Sequence, residues 1–283
     1  MLAMTWIVFL TAALLLAVII LLLWRQGDSL VERRARQALI ELGSSEPSVF
    51  DPSLVAELPE PAQRFFNYTI QPGTPLRPVV EIEMDGELSL GNKHKPGYRP
   101  MQARQLIAAP HGFIWSLRWN GVSGSDGSLP DGSWTRFWLF GLIPVARASG
   151  QDHQRSSFGR LIADATFWAP ASLLPNNHVS WEAIGENSAR VVVRFGGLEQ
   201  AVDLYVDPEG RPEHIVFLRW SNENPERVHR LQPFGGDFSE FETFEGYRLP
   251  TRVIAGNHYG SNDYFPFFKA KVTRVRFPDA RML

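Results

Sequence analysis

The first twenty-four residues carry no charged side chain, and Leu, Ile, Val and Ala fill the run between Trp6 and Trp24. From Ala3 to Trp24 this run measures about 33 Å as a helix, enough to cross a bilayer, with a Trp for each interface. No basic residue precedes it, and Arg25-Gln26-Gly27-Asp28 holds no Ala-x-Ala-like cleavage site. The pattern therefore predicts a retained anchor over residues 1–27 rather than a cleaved signal peptide. Ser29 and Glu32 then read as a capping box. Val31, Ala35, Ala38, Leu39 and Leu42 repeat at helical spacing up to Gly43, predicting a separate juxtamembrane helix. A polar linker spans 44–48. Asp51-Pro52 and Glu60-Pro61 open two short helices with Pro at the first helical position. The second sets Leu58, Ala62, Phe65, Phe66 and Thr69 on one face, suited to dock on the C-terminal domain, and residues 28–76 form this docking region.

Beyond residue 77 the period changes from 3.6 to 2. Val80, Ile82, Met84, Leu88 and Leu90 alternate with Glu81, Glu83, Asp85, Glu87 and Ser89, giving one buried face and one acidic, wet face. Further strands are predicted at 101–108, 112–119, 134–140, 178–184, 189–195, 200–206, 213–220, 238–244, 247–259 and 265–277. Turns fall at Gly185-Glu186-Asn187-Ser188 and Asp207-Pro208-Glu209-Gly210. Residues 121–132, GVSGSDGSLPDG, read as a mobile hairpin tip or lid. Strand follows strand, so the sheet is antiparallel. One stretch departs from this pattern. Phe158, Leu161, Ile162, Ala165 and Trp168 lie on one stripe of a helix over 156–169, capped by Ser156 or Ser157 and stopped by Pro170, with Arg160 and Asp164 off the stripe. The predicted fold class is α+β: a transmembrane helix, short helices, then over 77–283 a large curved antiparallel sheet, a half-barrel, wrapped around that one amphipathic helix.

Charge narrows the partners. A formal net charge of -2 leaves no basic excess, so nucleic acid is a poor partner. The absence of Cys excludes disulfides, thiolate nucleophiles and Cys zinc sites. Seven His are scattered without a zinc spacing, and neither Gly-x-Ser-x-Gly nor Gly-x-Gly-x-x-Gly occurs, so no cofactor or metal is expected. Nine Trp and nineteen Phe exceed what a minimal core requires. Phe113, Trp115, Trp138, Leu161, Trp168, Trp181, Phe217 and Trp220 are candidates to line an apolar pocket between helix and sheet. Asp152, His153, Arg160 and Asp164 are candidates for its polar mouth. The favoured function is a membrane-anchored protein holding a lipid or acyl chain. A protein-binding scaffold with a filled core, and a membrane-associated enzyme built on the four mouth residues, are the alternatives. Arg25, Arg33, Arg34 and Arg36 all lie after the apolar run, a bias that favours a cytoplasmic domain at the inner membrane. A β-rich hydrophobe-binding domain behind a bacterial anchor points instead to the periplasm.

Phe167-Trp168-Ala169-Pro170-Ala171-Ser172-Leu173-Leu174-Pro175 resembles the Trp-x-Pro-x-x-Leu-Leu-Pro segment of a bacterial family known only as a domain of unknown function. Leu58-Pro59-Glu60-Pro61, Pro100-Met101-Gln102-Ala103, Gly112-Phe113-Ile114-Trp115, Gly141-Leu142-Ile143-Pro144 and Gly246-Tyr247-Arg248-Leu249-Pro250 match in the same order, covering residues 54–277. The resemblance implies a single-anchor membrane protein and carries no established activity. Many members bear an acid three residues before the Trp, where this chain has Ala165, with Asp164 one position earlier. In element order alone, the chain is also similar to the half-barrels of periplasmic lipoprotein carriers.

Overall fold

The computed structural model describes residues 2–43 and 48–279, so the expected linker at 44–48 lies, apart from Ser48, outside the described residues. Its first element, α1 (Leu2–Glu41), is one unbroken helix. The expected break after residue 27 and the separate juxtamembrane helix are not found. No proline interrupts the backbone there, and Ser29 does not cap: its hydroxyl donates to the Arg25 carbonyl at 3.0 Å, a contact made within a helix. Glu32 likewise turns away from a capping role and accepts from Ser116 and Ser125 at 2.8 and 2.9 Å. The N-terminal part of α1 is exposed and apolar, long enough to cross a bilayer.

A 3-10 turn (Pro52–Val55) and α2 (Glu60–Thr69) begin at the two predicted prolines. Phe65 and Phe66 of α2 are fully buried against Trp181. Then come β1 (Val80–Leu88), β2 (Arg99–Ala108), β3 (Gly112–Trp119), β4 (Val122–Leu129), β5 (Gly132–Leu139) and β6 (Ile143–Ala148). Beyond α3 (Gln151–Trp168) lie β7 (Val179–Gly185), β8 (Ser188–Phe195), β9 (Leu198–Val206), β10 (Pro212–Ser221), β11 (Arg230–Phe244), β12 (Tyr247–Asn257) and β13 (Phe265–Arg276). They form one antiparallel sheet in the order β6-β5-β4-β3-β2-β1-β13-β12-β11-β10-β9-β8-β7. Thus α3 connects the two edge strands. It packs on β9 and β10 from one side and β4 and β5 from the other, so the sheet must curve around it.

Two strands escaped the sequence reading. Residues 121–132 are not a mobile loop: β4 pairs with β3 and β5 along its whole length. Its Gly-Ser composition reflects close packing, since a Cβ on Gly124 would lie 2.0 Å from the Arg136 carbonyl oxygen and one on Gly127 2.1 Å from the Trp134 ring. The other, β6, is a short edge strand. Helix α3 starts five residues before the predicted Ser156, after Gly150 at φ 101, and ends at Trp168 with Ala169 at φ -133, as Pro170 requires.

Register fixes the faces. Ile82, Gln105, Trp115, Asp126 and Thr135 pair successively across β1 to β5 and share the concave face, whereas Glu81, Leu106, Ile114, Gly127 and Trp134 share the convex one. The C-terminal half of α1 covers the convex face, burying Ala35, Leu39 and Ile40 against Leu106, Ala108, Ile114 and Trp134. This corrects the reading of the β1 acids as a solvated row. Glu81 is 3% exposed and pairs with Arg36 of α1 and, at 2.9 Å, with Arg104. Glu83 pairs with Arg276 at 3.0 Å.

Candidate functional site

The expected apolar pocket under α3 is occupied by the side chains proposed to line it. Phe113, Trp115, Leu161, Trp168, Trp181 and Phe217 are all buried in the main core, and the ring nitrogens of Trp168 and Trp181 donate to the carbonyls of Pro250 (3.2 Å) and Leu173 (2.9 Å). A void of about 10 Å³ remains beside Phe158 and Leu161, bounded by His111, Ser128 and Phe195. It holds no more than one water.

Two candidates lie elsewhere. Trp138 is on the convex face, its ring 5.5 Å from that of Trp24 and its nitrogen 3.1 Å from Asp28 Oδ2. Its neighbour Phe137 points inward, and successive strand residues alternate. Trp220 has the opposite parity to Phe217 and Arg219. It donates to Asp152 Oδ1 at 2.8 Å, under the Arg155 guanidinium at 4.0 Å and beside His229. Asp152 is thereby separated from the other three mouth candidates.

Those three meet. His153, Arg160 and Asp164 project from one side of α3 at helical spacing into a polar seam on the concave face. Asp164 accepts from Gln105 at 2.7 Å and from Arg160 at 3.3 Å, while Arg160 also donates to Asp126 at 3.2 Å. The Arg160 guanidinium lies over Phe113 and Trp115, 5.0 and 4.7 Å from the ring centres. Burial raises the Asp164 pKa, against the opposing charge of Arg160 and the hydrogen bond from Gln105.

His153 joins a chain of hydroxyls. Thr135 Oγ1 donates to Asp126 at 2.5 Å, so it accepts from His153 Nε2 at 2.9 Å. His153 Nδ1 is then the acceptor for Ser133 at 2.7 Å. Desolvation lowers the His153 pKa, and the charges of Arg219 and Arg160 add to this against the pull of Asp126, so the ring is neutral at neutral pH. A serine hydrogen-bonded to an imidazole resembles a hydrolase pair. However, Ser133 is 9% exposed, and the void nearby admits no ester or amide.

Arg219 completes the seam. Its Nε donates to Ser156 at 3.2 Å and its guanidinium sits 5.2 Å from the Phe234 ring centre. Among the described residues neither terminal nitrogen has an acceptor. Burial draws its pKa down to about 10, with the like charge of Arg160 acting in the same direction. Nearby on the concave face, the buried ring nitrogens of Trp115 and Trp119 also lack an acceptor. The sequence reading missed Gln105, Asp126, Ser133, Thr135 and Arg219. The available signal was parity: Gln105 and Arg219 occupy positions whose strand neighbours two residues away, Ala103, Ile107 and Phe217, are apolar.

Residues 48–270 match a family of unknown function, DUF6544, and the chain belongs to that family. No curated protein matches it. Among solved structures, it is similar to a LolA superfamily protein from Nitrosomonas europaea at 12% identity and a TM-score of 0.44, over 77% of this chain and 92% of the other. A putative outer membrane lipoprotein-sorting protein domain from Vibrio parahaemolyticus aligns at 13% identity and 0.39, over 70% and 85%. A DUF1329 family protein from Desulfovibrio piger aligns at 13% and 0.42, over 71% and 86%.

Proposed function

We propose that this member of the DUF6544 family is a membrane-anchored binding protein that holds an amphipathic ligand with an anionic head, of the fatty-acid or lysophospholipid type, on the concave face beside α3. The observation that carries the reading is Arg219. It stays charged at neutral pH, uses one of its five donors, and lies over the Phe234 ring while part of it remains open to solvent. A carboxylate or phosphate fits the free fork of a guanidinium in bidentate fashion. The partly exposed Trp119, Phe234, Phe267 and Phe268 offer a surface for the tail. Each methylene buried there adds about 0.8 kcal/mol. This reading moves the ligand from the packed underside of α3 to its flank.

The anchor reading is supported by the continuity of α1, which passes through residues 24–28 without the extended segment that a signal peptidase needs, and by the docking of its C-terminal half on the sheet. The four arginines after the apolar run favour the cytoplasmic side of the inner membrane.

The test is a titration with a fluorescent fatty acid. Saturable binding that weakens at least about tenfold in Arg219→Met, with the fold retained, is expected from the loss of a charge-assisted pair. A neutral fatty alcohol should not distinguish the two proteins. Absent saturation, or equal affinity in both, overturns the reading.

A further inference from the structure

We infer that the β5–β6 turn is a second membrane contact, its Phe140 side chain inserted into the interfacial layer of the bilayer that α1 crosses. This rests on the reading of α1 as a retained anchor. Helix α1 crosses the convex face obliquely, from β1, where Arg36 pairs with Glu81, past Ser116 and Ser125 of β3 and β4, which hold Glu32, to β5 at Asp28 and Trp24. Leu39 packs in the cluster that holds Trp134, and Trp24 meets Trp138 at 5.5 Å. Trp134 donates to Ser125, which holds Glu32, whereas Trp138 meets Asp28 and Trp24, so passing from Trp134 to Trp138 moves towards the apolar end of α1. Phe140 lies two residues farther, about 7 Å along the strand. Arg147 of β6 closes the same corner, 4.5 Å over Trp24 and hydrogen-bonded to Asp28 at 2.8 Å.

The turn itself is unusual. Phe140 and Gly141 have φ of 50 and 71, and Leu142 N–H returns to the Leu139 carbonyl at 3.1 Å, the geometry of a type I′ turn, before Leu139 pairs with Ile143. The adjacent β3–β4 hairpin makes its turn with Asn120 and Gly121, at φ 47 and 81. Asn-Gly is the pair such a turn favours, whereas a bulky aromatic residue resists positive φ. Phe140 nevertheless occupies the position and leaves its side chain 80% exposed, with Ile143 and Val145 exposed beside it. A residue that suits neither its backbone nor water, level with the Trp that ends an apolar span, fits a lipid surface.

The chain has no Cys, so single-cysteine variants report one position each. In full-length protein reconstituted into phosphatidylcholine–phosphatidylglycerol vesicles, an environment-sensitive fluorophore is placed at Leu14→Cys, Ile143→Cys or Ile184→Cys. Spin-labelled lipids then act as shallow or deep quenchers. Position 14 should respond most to the deep quencher, position 143 to the shallow one, and position 184 to neither. Adding Phe140→Asn to Ile143→Cys should keep the domain folded and cut shallow quenching at least about twofold. Position 143 behaving like 184 while 14 is quenched overturns the inference alone. An unquenched position 14 overturns the anchor reading and this inference with it.

Discussion

The ring nitrogen of Trp138 donates to Asp28 Oδ2 at 3.1 Å, joining strand β5 to the helix that carries the apolar span. Asp28 also holds Arg147 at 2.8 Å and lies 3.5 Å from Arg136. Helix α1 is therefore a structural layer of the domain, its C-terminal half covering the convex face as α3 covers the concave one.

Replacing Trp138, fully buried, with Ala should cost about 3–5 kcal/mol, the usual range for losing a buried aromatic. Urea unfolding measures the loss. Amide exchange should locate it, with residues 28–41 of α1 exchanging faster while α3 is unchanged.

Gly124→Ala should destabilise by about 1–3 kcal/mol despite its small size, because the added Cβ meets the backbone of Arg136 and Phe137 rather than a movable side chain. The shift in urea midpoint checks this. An unchanged midpoint would return residues 121–132 to the status of a loop.

This strand marks one limit of what the sequence revealed. Alternation of apolar and polar residues made β1 legible, although Glu81 on its polar face is buried beneath Arg36 and Arg104. In β4 the residues paired with Phe137 and Trp134 are glycines, so close packing looked like flexibility. The same limit hid the role of Trp138. Both faces of β5 are covered, Phe137 inward and Trp138 outward, and no alternation distinguishes them. The Phe158-to-Trp168 stripe and its stop at Pro170 were legible because both are local. The polar seam was half legible: His153, Arg160 and Asp164 share one helix face, but Asp126, Thr135 and Arg219 reach them only through strand pairing.

Arg160→Met should leave Asp126 and Asp164 without their shared cation and cost roughly 3 kcal/mol. Adding Asp164→Leu should recover part of that loss, since the pair is then removed together. Chemical denaturation of the single and double variants gives the coupling.

Acidification should destabilise the domain through its histidines. His153, His111 and His214 each have a pKa lowered from the usual 6.5, with burial the leading cause. As pH falls through 6.5 the unfolded chain takes up protons that the folded chain refuses. This contribution is present above 6.5 and lost as pH falls through the folded values. Asp164, raised by burial, acts in the opposite sense, losing stability as pH rises through its folded value. Between about pH 7.5 and about pH 5.5 the urea midpoint should fall, and His153→Asn should shrink the fall. A variant with the same slope as the wild type removes His153 from this balance.

The most direct measurement is native mass spectrometry of the full chain purified in mild detergent, wild type beside Arg219→Met. The wild type should show a population heavier by one anionic amphiphile, with that adduct lost from the variant. A bare mass in both, or the same adduct in both, would contradict it.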